Sequence, residues 1–397
     1  MASQRDLSAL QKQIWSGSIP LEIRLASTEC RTYDDSDPYL IQVPRLSYIP
    51  FLLPRLHAFF APSLIDPDVH PSKGWLSYSD VPLKWHHPLG LLYDLYSGFE
   101  PYTPDSLHQP ANPEPPSPPP PPSSSSSPTT PTTSGGEPGL LPWRLTAHFT
   151  TPAPASLVPL DAAYKAHHDA FVNAVKEADF LRNGSAKAAM SLSKDASDRL
   201  WDAVGRNDLA AWNAVHGRLL VSPPGAGPLR HVPMKLYLPG APTSASGSGG
   251  GNNGGAGTAA RGAEDAAGAA ATAGAEGGDA AAAAMTTTTE SPAPAGSASS
   301  IASLRVVQAL VPPTLTSSSS GGGGGASSRG GAAGQPQTMG TALNTIIPTL
   351  FPSRRSPLLA QPVLHGAVVP LSAPVEDLLK AAAYPDGFLH VAIVMMS

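Results

Sequence analysis

The chain has 397 residues, of which 37 are Gly and 46 Pro, about a fifth of the total against the roughly 12% usual for the two together. Its formal net charge is −5 and it holds one cysteine, Cys30. That balance excludes an internal disulfide framework and gives no basic stripe for nucleic acid.

No apolar run approaches the ~20 residues that span a bilayer, and the opening MASQRDLSALQKQIW lacks the charged-then-apolar pattern of a signal peptide. The expectation is a soluble intracellular protein.

The chain opens with Leu7, Leu10 and Ile14 at helical spacing, then Ile19 to Leu25 alternates as a strand. Turn residues at 33–38 separate it from a second strand, Tyr39 to Leu46. Leu52, Leu56, Phe59 and Phe60 predict a helix. Gly74 to Ser79 and Val81 to His86 predict two short strands, and a helix starting at Pro88 carries Leu89, Leu92, Tyr93 and Tyr96. A tract of almost pure Pro, Ser and Thr runs from Pro101 to Pro138, and Trp143 to Phe149 alternates as a strand after it. The order β-β-α-β-β-α-β is that of the β-grasp, or ubiquitin-like, fold, with the tract in a loop where length costs little entropy.

The middle segment is helical. Tyr164, His168, Phe171, Val175 and Ala178 form one stripe, Leu200, Trp201 and Val204 a second, and Leu209, Trp212, Val215 and Leu219 a third, with Asp208 as its N-cap. The last third repeats the opening order: strands at Val232 to Leu238 and Leu304 to Val311, a helix at Thr341 to Phe351, strands at Val363-Leu364 and Val368-Val369, a helix at Val375 to Ala383, and a closing strand at Leu389 to Met395.

The predicted architecture is therefore α+β, with two ubiquitin-like domains (1–152 and 228–397) flanking a small helix-rich domain (160–221). Long disordered low-complexity insertions are expected at about 100–140, 240–300 and 315–338.

Residue chemistry alone shows no catalytic centre. His86-His87 has no Cys, Asp or Glu at ligand spacing, and as strand neighbours the two would face opposite sides, so structural roles are expected and no metal or cofactor. Cys30 sits among acidic neighbours that do not activate a thiol. No serine stands in a G-x-S-x-G context, and the Gly tracts do not join a strand to a helix. The tryptophans Trp85, Trp143, Trp201 and Trp212 read as core. Lys176 sits one position round from the Val175 stripe, so its amine is expected to reach solvent.

At Pro82 to Leu95, PLKWHHPLGLLYDL resembles the signature of the autophagy protein 5 family. Further islands match in order: IWSGSIPLEIRL, YLIQVPRLSYIP, LPWRLTAHF, VKEADFLRNGSA, LWDAVGRNDLAAWNAVHGRLL and YPDGFLHVAIV. The resemblance implies two ubiquitin-like domains around a helical one.

The resemblance also implies a function as conjugation acceptor. The lysine of the KEAD segment, Lys176 here, would be joined by an isopeptide bond to the ubiquitin-like autophagy protein 12. The conjugate, bound to autophagy protein 16, would promote transfer of autophagy protein 8 from its E2-like enzyme to phosphatidylethanolamine. The location implied is cytoplasmic, with peripheral recruitment to the preautophagosomal structure membrane.

Such an acceptor must attack as a neutral amine, against a free-lysine pKa near ~10.4, and Glu177 and Asp179 nearby are expected to favour the charged form. Activation would then come from the E2-like partner, and the chain itself would be no enzyme. Two other readings stay open: a purely non-covalent scaffold of the same machinery, and a hydrolase, for which the spacing gives no support. The insertions, and an alanine-rich stretch before YPDGFLH, depart from the family pattern.

Overall fold

The structure, a computed structural model, describes residues 3–31, 36–97, 141–220, 229–238, 304–315 and 335–396. The tracts at 100–140 and 240–300 lie outside the described residues, and so does most of the third.

The first ubiquitin-like domain is one five-stranded sheet with two helices. After α1 (Gln4–Ser16), capped by the reciprocal Ser3–Asp6 pair, come β1 (Ser18–Leu25), β2 (Tyr39–Pro44), α2 (Leu53–Phe60), β3 (Trp75–Tyr78), β4 (Val81–Pro82), α3 (Leu89–Tyr96) and β5 (Trp143–His148). The sheet order is β2-β1-β5-β3-β4, with β1 and β5 parallel at its centre. The alternation read in β1 buries Ile19, Leu21, Ile23 and Leu25 against α2 and α3, with Leu53, Leu56, Phe60, Leu89 and Leu92 on the helix side.

The strand expected at Val81 to His86 is cut to two residues. Leu83 and Trp85 turn into the core, and the Trp85 indole donates to the Val158 carbonyl at 2.6 Å, so the ladder stops where burial takes over.

The helical domain has α4 (Lys165–Asn183), α5 (Lys187–Met190), α6 (Lys194–Gly205) and α7 (Leu209–Leu220). Asp208 caps α7 as expected, accepting the Ala211 N–H at 3.0 Å. Gly184, at φ 69°, ends α4 in the left-handed conformation that glycine adopts without strain. The stripe of α4 begins at His167, which is 1% exposed, rather than His168. Tyr164 lies outside the helix at φ 55°, so it does not set the phase of the stripe. Helix α5 is one turn long and carries no period that a sequence could show.

The second ubiquitin-like domain contains β6 (Val232–Leu238), β7 (Arg305–Val311), a small pair β8 (Thr314–Leu315) and β9 (Gln335–Pro336), α8 (Met339–Ile346), β10 (Ala360–Leu364), β11 (Ala367–Val368), α9 (Val375–Ala382) and β12 (Leu389–Met395). Its sheet order, β11-β10-β12-β6-β7 with β6 and β12 parallel, repeats the first sheet strand for strand. Residues 335–338, expected in the third insertion, instead pair with β8 and cap α8 through Thr338. Helix α8 stops at Ile346 rather than Phe351 because Pro348 follows Ile347, and a residue before proline is driven out of the helical region.

Two cores hold these parts. One belongs to the first ubiquitin-like domain. The other runs without a break through the helical domain and the second ubiquitin-like domain, and takes in Trp15, Leu46, Tyr48 and Leu91 from the first. Helix α1 packs on α9, so the N-terminal helix clamps the C-terminal domain. The small residues Ala381, Ala382 and Ala383 are all buried there, which gives the alanine-rich stretch a packing role.

A polar latch joins the two ubiquitin-like domains. Asp94 on α3, 3% exposed, receives the Arg45 guanidinium on one oxygen and the Gly366 N–H, at 2.8 Å, on the other. Arg45 also donates to the Gly90 carbonyl at 3.2 Å and lies over the Tyr93 ring. Removing the carboxylate leaves a half-buried guanidinium without its partner. Asp94→Ala is therefore expected to cost about 3 kcal/mol in urea unfolding, and the Arg45→Met/Asp94→Leu double variant much less than the two single losses combined.

A second buried carboxylate orders the chain beyond β5. Glu29, 1% exposed, accepts the N–H groups of Phe149 (2.6 Å), Thr150 (3.0 Å) and Thr151 (2.9 Å). Burial alone would raise its pKa, but the Thr151 hydroxyl and these three amides more than offset it and hold the carboxyl below its ordinary value. A depressed folded-state pKa gives stability that is present above the unfolded value, near ~4.3, and lost as pH falls through the folded one. Glu29→Gln is expected to lower the unfolding free energy by about 2 kcal/mol at neutral pH and to flatten its decline between about pH 5 and pH 3, read by denaturant titration across that range.

Candidate functional site

Helix α4 lies between the two ubiquitin-like sheets and presents a polar face beside the second. His167, Phe171, Val175, Ala178 and Arg182 are buried, while Asn173, Glu177 and Phe180 are exposed and Lys176 is half-buried. Lys176 stands three residues after Asn173 and four before Phe180, so the three share one side of the helix.

Neither nearby carboxylate is engaged with Lys176. Glu177 binds Lys235 of β6 at 3.2 Å and the Gln308 amide of β7 at 2.9 Å. Asp179 is fully buried and accepts from Asn183 Nδ2 at 2.7 Å and the Ala189 N–H at 2.8 Å, which ties α4 to α5. The helix turns Asp179 inward, and β6 and β7 hold Glu177. Among the described residues no hydrogen bond or ion pair engages the Lys176 amine.

Beside this face is a cleft of about 430 Å³, bounded by Asn173 and Glu177 of α4, Lys235 and Tyr237 of β6, Val306 and Gln308 of β7, and the His86-His87 turn. Its floor is a buried chain of hydrogen bonds. The Tyr237 hydroxyl meets His390 Nδ1 at 2.8 Å, and His390 Nε2 meets Asp386 Oδ2 at 2.8 Å. The other Asp386 oxygen accepts the Phe388 N–H at 3.1 Å, and the Trp212 indole donates to the neighbouring Pro385 carbonyl at 3.2 Å. Burial would raise the Asp386 carboxyl, but the His390 charge and hydrogen bond, Lys235 and the Phe388 amide together bring it below its ordinary value. Burial drives Tyr237 well above the ordinary phenol range, so this chain ends in a neutral hydroxyl and not in a phenolate. It braces the junction of α7 with β12.

His86 and His87, expected on a strand in structural roles, lie in a turn instead. His86 and His87 follow β4 in a turn, with ring centroids 4.3 Å apart, and His87 meets the Tyr237 ring edge-on at 5.3 Å. Burial, then the charges of His86 and His390, push His87 well below the ordinary histidine range. His167 is pushed down to about 3, chiefly by burial among aromatic rings. Cys30 is partly buried, with Sγ 3.6 Å from the Ala26 carbonyl. Trp85, Trp143 and Trp212 are core, and Trp201 packs against Phe51, His167 and Phe171.

Sequence reasoning missed the apolar surface around Lys176. Phe180 is 55% exposed, and Val306 and Leu310 are 37% and 50% exposed. Val306, Gln308 and Leu310 alternate onto one face of β7, the face from which Gln308 reaches Glu177. The signal for Phe180 was present, since it falls off the Phe171–Val175–Ala178 stripe. The contribution of β7 needed the fold.

Three family models match the chain. "Autophagy protein ATG5, UblA domain" covers residues 14–149, "Autophagy protein ATG5, alpha-helical bundle region" covers 164–222, and "Autophagy protein ATG5, UblB domain" covers 231–393. The chain is 46% identical over 396 residues to autophagy protein 5 of Phaeosphaeria nodorum, with 100% of each chain covered. It is 41% identical over 397 residues to that of Aspergillus fumigatus, covering 100% of this chain and 98% of the relative. The fold resembles the crystal structure of Kluyveromyces marxianus Atg5 at a TM-score of 0.55 and 17% identity, over 97% of this chain and 99% of that one.

Proposed function

Because the chain belongs to the autophagy protein 5 family, and so acts in autophagy, we propose that Lys176 is its conjugation acceptor, joined through an isopeptide bond to the C-terminal glycine of autophagy protein 12. The observation that supports this reading is the setting of Lys176: among the described residues, an amine with no carboxylate partner, on a fixed helix, one turn from exposed Phe180. A ubiquitin-like donor needs an apolar surface to dock on, and exposed Phe180 offers one a helical turn from this lysine.

In the proposed reaction the neutral amine attacks the thioester carbonyl of the E2-like donor. The C–N bond forms, the C–S bond breaks, the thiolate leaves, and the amine loses a proton. The chain contributes position, and the E2-like enzyme contributes the cysteine and the desolvation that make the free base available. With autophagy protein 16 bound non-covalently, the conjugate would act like an E3, favouring transfer of autophagy protein 8 to phosphatidylethanolamine. It would do so from the cytoplasm, recruited peripherally to the preautophagosomal structure membrane. Among the described residues no helix is long and apolar enough to cross a membrane.

Lys176→Arg keeps the charge and removes the reactive amine. In cells carrying the full chain, a denaturing blot is expected to show a covalent adduct for the wild type and none for Lys176→Arg, with an unchanged melting temperature. An adduct that survives the substitution removes Lys176 from this role. Autophagy protein 8 lipidation that persists without any adduct favours the purely non-covalent scaffold.

A further inference from the structure

The segment that leads from β5 to α4 carries a threonine whose hydroxyl belongs to a charged clamp. Residues 149–160 form no helix or strand. One carboxylate and two indoles hold them in place. Glu29 accepts the N–H groups of Phe149, Thr150 and Thr151. Trp75 Nε1 donates to the Thr151 carbonyl at 3.0 Å, and Trp85 Nε1 to the Val158 carbonyl. The Thr151 hydroxyl donates to the Glu29 carboxylate as well. Thr151, Pro152 and Ala153 are nevertheless exposed.

Three features coincide at Thr151: it lies at the surface, it stands immediately before a proline in irregular chain, and it touches a buried charge. Proline holds the residue before it in an extended conformation, the form in which a kinase cleft takes its substrate. A Thr-Pro pair in exposed, irregular chain is the pattern that proline-directed kinases read.

We propose that Thr151 is a phosphorylation site for a proline-directed kinase, and that its phosphate releases this segment from Glu29. In the transfer the Thr151 oxygen attacks the γ-phosphorus of ATP. The new O–P bond forms as the bond to the β,γ-bridging oxygen breaks, ADP leaves, and the hydroxyl proton passes to the kinase's base. The product no longer has the proton that Thr151 donated to Glu29, and it carries about −1.5 to −2 charge beside that carboxylate. Glu29 is 1% exposed and has no room to withdraw, whereas residues 151–153 lie at the surface, so the segment yields. Among the described residues, Lys73 is the one cation lining the adjoining cleft of about 560 Å³, and the pairing of an exposed lysine is worth little against this repulsion. The segment joins the first ubiquitin-like domain to the helical one, so its release loosens that junction. The proposal does not depend on Lys176.

The test has two arms, both on the full chain. In the first, the chain is incubated with a cyclin-dependent kinase and ATP, and peptide mass spectrometry is expected to find phosphate on Thr151. A bare Thr151 while Ser117, which precedes Pro118 in the Pro/Ser/Thr tract, is modified overturns the site. In the second, phosphothreonine is incorporated at position 151 alone, and amide hydrogen exchange is read at Phe149, Thr150 and Thr151. Exchange is expected to quicken about tenfold over the unmodified chain. In a Glu29→Gln background, against unmodified Glu29→Gln, the same phosphate is expected to quicken it about twofold at most. Unchanged or slower exchange overturns the release, and slower exchange assigns the phosphate to Lys73. An acceleration as large in Glu29→Gln as in the wild type overturns it too, because repulsion by Glu29 is then not the cause. So does an equal acceleration from phosphoserine at position 156, which is exposed in the next turn. Lys176→Arg is expected to respond like the wild type, which separates failure here from failure of the acceptor assignment.

Discussion

One buried carboxylate ties the second ubiquitin-like domain to the first. Asp94 gives one oxygen to Arg45 within the first ubiquitin-like domain and the other to the Gly366 N–H in the second. Gly366 adopts φ 79°, and a Cβ built there would come within 2.8 Å of the Arg45 guanidinium, so the close approach of the two domains requires a glycine. A charge in such a place is tolerated only when its hydrogen bonds are complete. Asp94 therefore fixes where the second sheet sits as well as tying it down. The position of β6 and β7 against α4 follows from that placement.

The continuous second core adds rigidity to the same arrangement. Trp15 of α1 and Trp212 of α7 lie 5.2 Å apart, and Trp212 stacks on His216 at 3.9 Å while its indole reaches Pro385. Burial and the Arg182 charge push His216 well below the ordinary histidine range, so it sits in this core as a neutral ring. Helix α4 is thus a strut between two sheets, held by its buried stripe and by the Glu177–Lys235 and Glu177–Gln308 bridges. A side chain on its open face has a defined position relative to both domains.

The sequence made much of this legible, for reasons that can be named. Strands such as β1 and β5 alternate regularly enough to be read from apolar period, and the sheet order repeated because the element order did. What stayed hidden depended on distance or brevity. Glu29 looked like a loop acid because its partners lie 120 residues away, at Phe149 and beyond. Helix α5 and the β8–β9 pair were too short to show a period. His167 and His168 both fit a step back from Phe171, and only the fold shows that His167 turns inward. At the candidate site, Lys176 came from resemblance alone, since no pattern of spacing marks an acceptor. Phe180 was readable as an apolar residue off the stripe, but Val306 and Leu310 were not, because which face of β7 meets α4 is a property of the assembled sheet.

The same geometry changes what is demanded of an acceptor lysine. In the sequence, KEAD places two acids within three residues of the amine, an arrangement that would hold a proton on it. In the fold both acids have other partners: Asp179 is directed into the α4–α5 corner, and Glu177 is drawn across to β6 and β7. The acids that seemed to oppose nucleophilicity instead build the platform, one fixing the helix and the other tying it to the sheet. No charge pair then has to be broken before the amine is used. On the proposed reading, the remaining barrier is removal of water and a proton, which would fall to a docked partner.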